Sequence, residues 1–180
     1  MDLKKAIAII ILCFLVFWTA RIISINRNPP SVTYYNMGDT VDCGDLELHF
    51  AESHLDSKEE FMARFGLDSA PNEGEYKMLS VCIEVTNRSD SDIGWSEVFG
   101  FMECGFESPV WCSVIDPNVM SQVNLVQGES LAPGDSQKIW YLTEVNKVCF
   151  KESSWEHVNE YQYNYVLSID PQKTAVRLEV

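Results

Sequence analysis

An all-β, antiparallel sandwich behind one N-terminal membrane helix is the architecture the sequence predicts. Three observations lead to it. Residues 6–20 form an apolar run without a charge. From Leu46 onward, apolar and polar residues alternate in short stretches bounded by Gly, Pro, Asn and Asp. Only one later segment, Phe61–Phe65, carries helical spacing. Alternation at period two marks a half-buried strand, and several short strands with regular turns build a sandwich.

The helix comes first. Ala6–Ile25 spans 20 residues, with Arg21 its one charge. At about 1.5 Å per residue it reaches roughly 30 Å, the thickness of a bilayer's hydrocarbon core. Arg21 stands near the far end, where a long side chain snorkels to the headgroups. Trp18 also suits an interface. A cleaved signal peptide wants small residues one and three positions before the cut. Ala20 suits the first position, but Trp18 then occupies the second. A lipoprotein signal at Cys13 fails on Leu12, where a small residue is required. The expectation is an uncleaved signal anchor over residues 1–26. Lys4 and Lys5 favour an extracytoplasmic C-terminal domain, although Arg21 and Arg27 dilute that charge bias. Residues 27–36, with Pro29 and Pro30, read as a short stalk. Residues 37–180 are long enough for one domain with its own core.

Charge narrows the partners. Setting aside Lys4, Lys5, Arg21, Arg27 and Asp2 leaves 9 basic and 26 acidic side chains, a net of −17. Neutralising phosphates needs clustered Lys and Arg, so no nucleic-acid partner is expected. An acidic surface of this kind keeps a domain soluble and suits a basic partner or cations.

The elements then follow in order. In Asp45–Phe50, Leu46, Leu48 and Phe50 point one way, Glu47 and His49 the other. Asp56 with Glu59 resembles a capping box, Phe61, Met62 and Phe65 share a face, and Gly66 supplies a stop. Ser69–Glu75 is a loop. Tyr76–Thr86 is the clearest strand, its Leu79, Val81, Ile83 and Val85 alternating with Ser80, Cys82, Glu84 and Thr86. Asn87–Asp92 is a polar turn. Further strands are expected at Ile93–Met102, Val110–Ile115, Val119–Val126, Ser136–Glu144, Tyr161–Ile169 and Ala175–Val180. Pro133 and Gly134 in Leu131–Asp135 are placed for a type II turn, and Asp170–Lys173 is another turn.

Four stretches, Met37–Val41, Tyr76–Asn87, Leu131–Asp135 and Tyr165–Lys173, stand in an order that resembles a family of bacterial extracytoplasmic immunoglobulin-like domains of unknown function. Its members are mostly from Gram-positive bacteria and carry an anchor or lipoprotein signal. The resemblance implies an immunoglobulin-like sandwich with one short helix after the first strand, on the outer face of a membrane. It implies no activity.

Chemistry is sparse. Outside Cys13 stand Cys43, Cys82, Cys104, Cys112 and Cys149, without a Cys-x-x-Cys spacing for zinc. An extracytoplasmic site permits disulfides. Cys104 and Cys112 flank an expected hairpin at Gly105–Pro109 and form the expected bond across it. Cys82 is left to Cys149 or Cys43, and the odd count leaves one thiol over. His49 and His54 with Glu47, Glu52 and Asp56 can be drawn as a metal site, as can Asn87, Ser89, Asp90 and Asp92 for calcium. Strand alternation scatters the first set, and the second lacks the Gly and trailing Glu of an EF-hand loop. No metal or other cofactor is expected. Ser153 and Ser154 precede His157, but no Gly-x-Ser-x-Gly, P-loop or dinucleotide motif is present. Aromatics gather around Trp95–Trp111 and Trp140–Tyr165, where they suit a core or cross-strand pairs. Asn87-Arg88-Ser89 has the form of a glycosylation sequon.

The sequence thus points to a single-pass, membrane-anchored extracytoplasmic module. It binds a protein or another envelope component and has no catalytic residue. The alternative from another class is a cell-surface hydrolase of glycans or peptides, which requires a cleft with a nucleophile or a carboxylate pair.

Overall fold

The computed structural model of the chain describes residues 3–27, 31–100, 105–126, 128–169 and 172–180. It divides into two compact units, residues 1–31 and 32–180.

The first unit is helix α1, Leu3–Arg27, 25 residues long. Its described side chains, Ile10 to Ser24, are all exposed. Among the described residues no helix is long and apolar enough to cross a membrane. The described side chains stop short of the 20-residue run Ala6–Ile25 at both ends.

The second unit is a β-sandwich. One sheet has the order β1-β11-β10-β6-β7 and the other β2-β3-β4-β9. The first contains β1 (Val32–Asn36), β6 (Phe106–Ser108), β7 (Trp111–Ser113), β10 (Asn164–Ser168) and β11 (Lys173–Arg177). The second contains β2 (Thr40–Cys43), β3 (Leu46–Ser57), β4 (Tyr76–Asn87) and β9 (Ser136–Asn146). A small ribbon pairs β5 (Ile93–Gly94) with β8 (Ser130–Leu131). Residues 32–36, read from the sequence as stalk, are strand β1, which pairs in parallel with β11.

Alternation built the core as expected. Along β4, Leu79, Val81, Ile83 and Val85 are fully buried. They share the inner face with Leu48, Phe50, Ile139 and Tyr141 through the registers Leu48↔Val85, Phe50↔Ile83, Ile83↔Ile139 and Val81↔Tyr141. From the opposite sheet Tyr165 enters this face. Its ring lies 5.0 Å from Phe106, 5.7 Å from Tyr141 and 6.4 Å from Phe50, centroid to centroid. The alternation seemed to end at Phe50 because a bulge between Phe50 and Glu52 shifts the parity. Strand β3 in fact runs to Ser57.

Helix α2 (Lys58–Phe65) therefore starts one residue later than the Asp56–Glu59 reading. Ser57 is the N-cap, its hydroxyl accepting from the Glu60 N–H while the Glu60 carboxylate accepts from the Ser57 N–H. That leaves Asp56 to bind Arg64 with both oxygens, at 2.8 and 3.0 Å. Gly66 closes the helix with φ 64°, as its position predicts. α2 shields the outer face of the second sheet. Phe61 is fully buried there, and Phe65 packs edge-on against Trp140 at 5.0 Å.

Two expected strands are helices instead. Ile93–Met102 yields only β5 before helix α3 (Trp95–Gly100); residues 101–104 lie outside the described set. Val119–Val126 falls in helix α4 (Pro117–Val123). Asp116 caps α4 by accepting from the N–H groups of Asn118 and Val119, and Pro117 starts it with a preset φ. A 3₁₀ turn, Lys147–Cys149, and the short helix α5 (Glu152–Trp155) follow β9.

Asn87 ties these pieces together. Its N–H donates to the Asp135 carbonyl at 3.0 Å, and its own carbonyl accepts from Gly134 at 2.9 Å. Its Nδ2 donates to Ser91 and Leu131 carbonyls, both at 2.8 Å. Its Oδ1 accepts from the Ser89 N–H and hydroxyl. The Asp135 N–H donates to Ala132, closing the expected Pro133-Gly134 turn with Gly134 at φ 80°.

Replacing Asn87 by Ala removes the Nδ2 bonds to the Ser91 and Leu131 carbonyls and frees the Ser89 turn. Urea denaturation is expected to show a loss of about 3 kcal/mol or more, since each orphaned buried group costs about 1–3 kcal/mol. The Tyr141 hydroxyl is the opposite case. It is buried, has no hydrogen-bond partner among the described residues, and burial raises its pKa. Tyr141→Phe removes that unpaired group and should stabilise the domain by about 1 kcal/mol in the same assay.

Candidate functional site

Helix α4 lies along β9, the edge strand of the second sheet. Asn124, its C-cap, makes the contact. Nδ2 donates to the Trp140 carbonyl at 2.8 Å and Oδ1 accepts from the Trp140 N–H at 2.7 Å. The side-chain amide thus takes the place of one residue of a neighbouring strand. One turn away, the Asp116 N–H donates to the Leu142 carbonyl at 2.8 Å. An open strand edge is a site for unwanted pairing, and α4 covers this one.

Docked in this way, α4 walls an apolar pocket of about 360 Å³. Phe99 of α3 and Ile115, Pro117, Met120 and Val126 line it, with Ser121 and Asn124 as its polar members. Asn124 is committed to Trp140, and the Ser121 hydroxyl donates to Asn118 at 2.8 Å. None of these described lining side chains ionises, and a volume in this range accepts a small apolar group.

The residues singled out from the sequence do not assemble elsewhere. Cys104 lies outside the described residues, and with it the expected bond to Cys112. The Cys112 thiol is exposed on β7, where Cys112 stands opposite Glu107. Cys149 is also exposed, at the end of the 3₁₀ turn. Cys82 is fully buried beneath α2, its pKa pushed up to about 11 by burial and then by Glu52. Cys43 is half-buried, and burial with Asp42 raises its pKa. His49 contacts the Thr40 hydroxyl, Glu47 pairs with Arg88, and Asp56 is taken by Arg64. His54 stacks on Trp140 and touches Glu52 at 3.2 Å. Among the described residues no group of three or more His, Cys, Asp and Glu could hold a metal ion.

Asn87 cannot serve a calcium loop or a glycan. It is fully buried and both ends of its amide are used. His157 faces Glu160 at 3.0 Å, on the exposed surface. Of the aromatics, Tyr141, Tyr163 and Tyr165 are core residues. Tyr163 donates to Val158 at 2.8 Å, and burial raises its pKa. The Glu75 carboxylate accepts from Lys147 and from the Trp155 indole N–H, which together lower its pKa. Among the described residues, Phe99 is the one member of the aromatic clusters that lines the pocket. Sequence reading missed the rest of that lining because Ile115–Val126 was divided between two strands; Asp116-Pro117 was the signal that would have found the helix.

The architecture defines a β-sandwich domain. Residues 32–174 match the family described as a domain of unknown function, DUF5028, and the chain belongs to that family. No curated protein matches it in sequence. Among solved structures, the chain is similar to an uncharacterized β-sandwich protein from Clostridium difficile 630. Identity is 8%, the alignment covers 84% of this chain and 97% of that one, and the TM-score is 0.55. A likeness at that identity shows the fold.

Asn124→Ala removes both contacts to Trp140. It is expected to cost about 2 kcal/mol in urea denaturation, because a buried N–H and a C=O lose their partners together. Amide hydrogen exchange at Trp140 should accelerate by at least that margin, while exchange along β3 stays unchanged.

Proposed function

We propose that this chain is a membrane-anchored extracytoplasmic binding module. Helix α1 is its anchor and the β-sandwich displays the apolar pocket to an envelope partner. The observation that carries the binding role is that pocket, roomy, apolar and without an ionisable side chain among its described lining residues. The anchor rests on the 20-residue apolar run Ala6–Ile25 and on the exposure of α1, where Ile10 is 67% and Phe17 64% exposed. An isolated helix with that much apolar surface is stable in lipid and not in water.

Strand order supports the immunoglobulin-like assignment. β4 lies beside β9, β10 lies between β6 and β11, and β1 runs parallel to β11. Lys4 and Lys5 on the short N-terminal side support the outward orientation. The partner presents an apolar side chain or chain end to the pocket. The net charge of −17 over residues 28–180 favours partners with a basic surface around that group.

Two measurements test the reading. After alkaline carbonate extraction of cells making the full chain, the protein should stay with the membranes. Protease added to intact, wall-stripped cells should digest the domain. Release into the supernatant, or full protection, overturns the placement. For the binding role, a photo-crosslinking amino acid is placed at Met120 or, as control, at Tyr34 on the far sheet. Adducts in native membranes are expected from position 120 and not from 34; identical patterns from both overturn the pocket as the binding surface.

A further inference from the structure

The two exposed thiols among the described residues of the sandwich share one place on it. Cys112 and Cys149 line the same shallow depression of about 480 Å³, together with Glu107, Ser108, Val110 and Trp111. They come from different parts of the fold. Cys112 sits on β7, the edge strand of the first sheet, and Cys149 ends the 3₁₀ turn that follows β9 of the second sheet.

Contacts on both sides of Cys112 hold these segments together. The residue before it, Trp111, stacks on Phe150, the residue after Cys149, with ring centroids 6.4 Å apart and planes 24° from parallel. The residue after it, Ser113, shares a hydrogen bond of 2.9 Å with Thr143 of β9. Trp111 also meets Tyr163 edge-on at 6.1 Å, which sends its ring inward. Alternation along β7 then turns Cys112 outward, onto the solvent side where Cys149 is exposed. The other described thiols of the domain lack this access: Cys82 is fully buried and Cys43 half-buried.

We propose that Cys112 and Cys149 close a disulfide that staples the edge of one sheet to the other. The oxidant is a donor disulfide, either a small dithiol compound in its oxidised form or a thiol–disulfide oxidoreductase. One cysteine thiolate attacks a sulfur of the donor, forming a mixed disulfide and expelling one donor thiolate. The second cysteine thiolate attacks the protein sulfur of that mixed disulfide and expels the other donor thiolate. Two protein thiols become one S–S bond, and the donor disulfide becomes two thiols. The bond would close a chain loop that spans β8 and β9, and cross-linking such a loop raises stability chiefly by restricting the unfolded chain.

The test uses the full chain in detergent micelles, fully reduced and then equilibrated with glutathione at graded ratios of disulfide to thiol. Remaining thiols are alkylated under denaturing conditions, and non-reduced peptides are mapped by mass spectrometry. The expected result is a Cys112–Cys149 peptide that grows with the oxidised fraction and vanishes in both Cys112→Ser and Cys149→Ser. Oxidation should raise the thermal unfolding midpoint of the wild type and leave both serine variants unmoved. Alkylation of both cysteines at every ratio overturns the proposal, and so does a peptide linking Cys112 to Cys104 instead. A linked chain whose midpoint does not rise overturns the staple. None of these outcomes depends on which side of a membrane the domain occupies.

Discussion

The saturated hydrogen bonding of Asn87 is the constraint on which the sandwich rests. A fully buried amide side chain is tolerated only when donors and acceptors are all matched. Asn87 meets that condition by holding the end of β4, the Ser89–Ser91 turn and the turn that opens β9. Because its backbone is bonded to Asp135 and Gly134, β9 can enter the sheet only at Thr86↔Ser136. Register then propagates along the ladder and puts Ile139 and Tyr141 on the same face as Ile83 and Val81. A slip of one residue would turn that whole face outward. The Tyr165 cluster across the two sheets therefore depends on an amide at the far end of a strand.

That dependence explains why two short sequence stretches are informative out of proportion to their length. The strand ending at Asn87 and the Leu131–Asp135 turn are more than 40 positions apart, yet Asn87 bonds directly to Leu131, Gly134 and Asp135. They are two halves of one clasp. The turn itself was readable because Pro133 and Gly134 have few other uses in that order. Strand β4 was readable because its inner face is unbroken from Leu79 to Val85. β3 was only half readable, since the bulge after Phe50 reverses parity and makes the second half look irregular. The same reversal hid Ser57 as the helix cap and made Asp56 look like one. In the structure Asp56 is 6% exposed and occupied by Arg64, a role no local pattern announces.

The pocket was less legible than the fold, for a physical reason. Val119–Val126 is rich in β-branched residues, which favours a strand on propensity alone. Asp116 and Pro117 override that preference by satisfying the first turn of a helix, and Asn124 adds a contact to Trp140 that only tertiary structure can supply. Local propensity is a weak prior wherever a segment docks on an open strand edge. The aromatic clusters are legible as core or cross-strand pairs, and the largest rings, Tyr141, Tyr163 and Tyr165, do fill the core.

On the proposed binding role, surface charge and pocket divide the work of recognition. Among the described residues, Arg64, Arg88, Lys147 and Lys173 are paired with carboxylates, and Lys58 is held by the Asn72 and Gly74 carbonyls. Four of the nine basic side chains of residues 28–180 are thus neutralised locally, and the domain keeps its large excess of acids. Such a field acts over about a Debye length, roughly 8 Å at physiological salt, so it selects approaching partners by sign and not by shape. Shape discrimination needs close contact, which in this proposal the apolar pocket between α3 and α4 supplies, where no described lining side chain carries a charge to desolvate. A partner with a basic rim around an apolar group satisfies both demands at once, whereas an acidic partner fails the first and a wholly polar one the second.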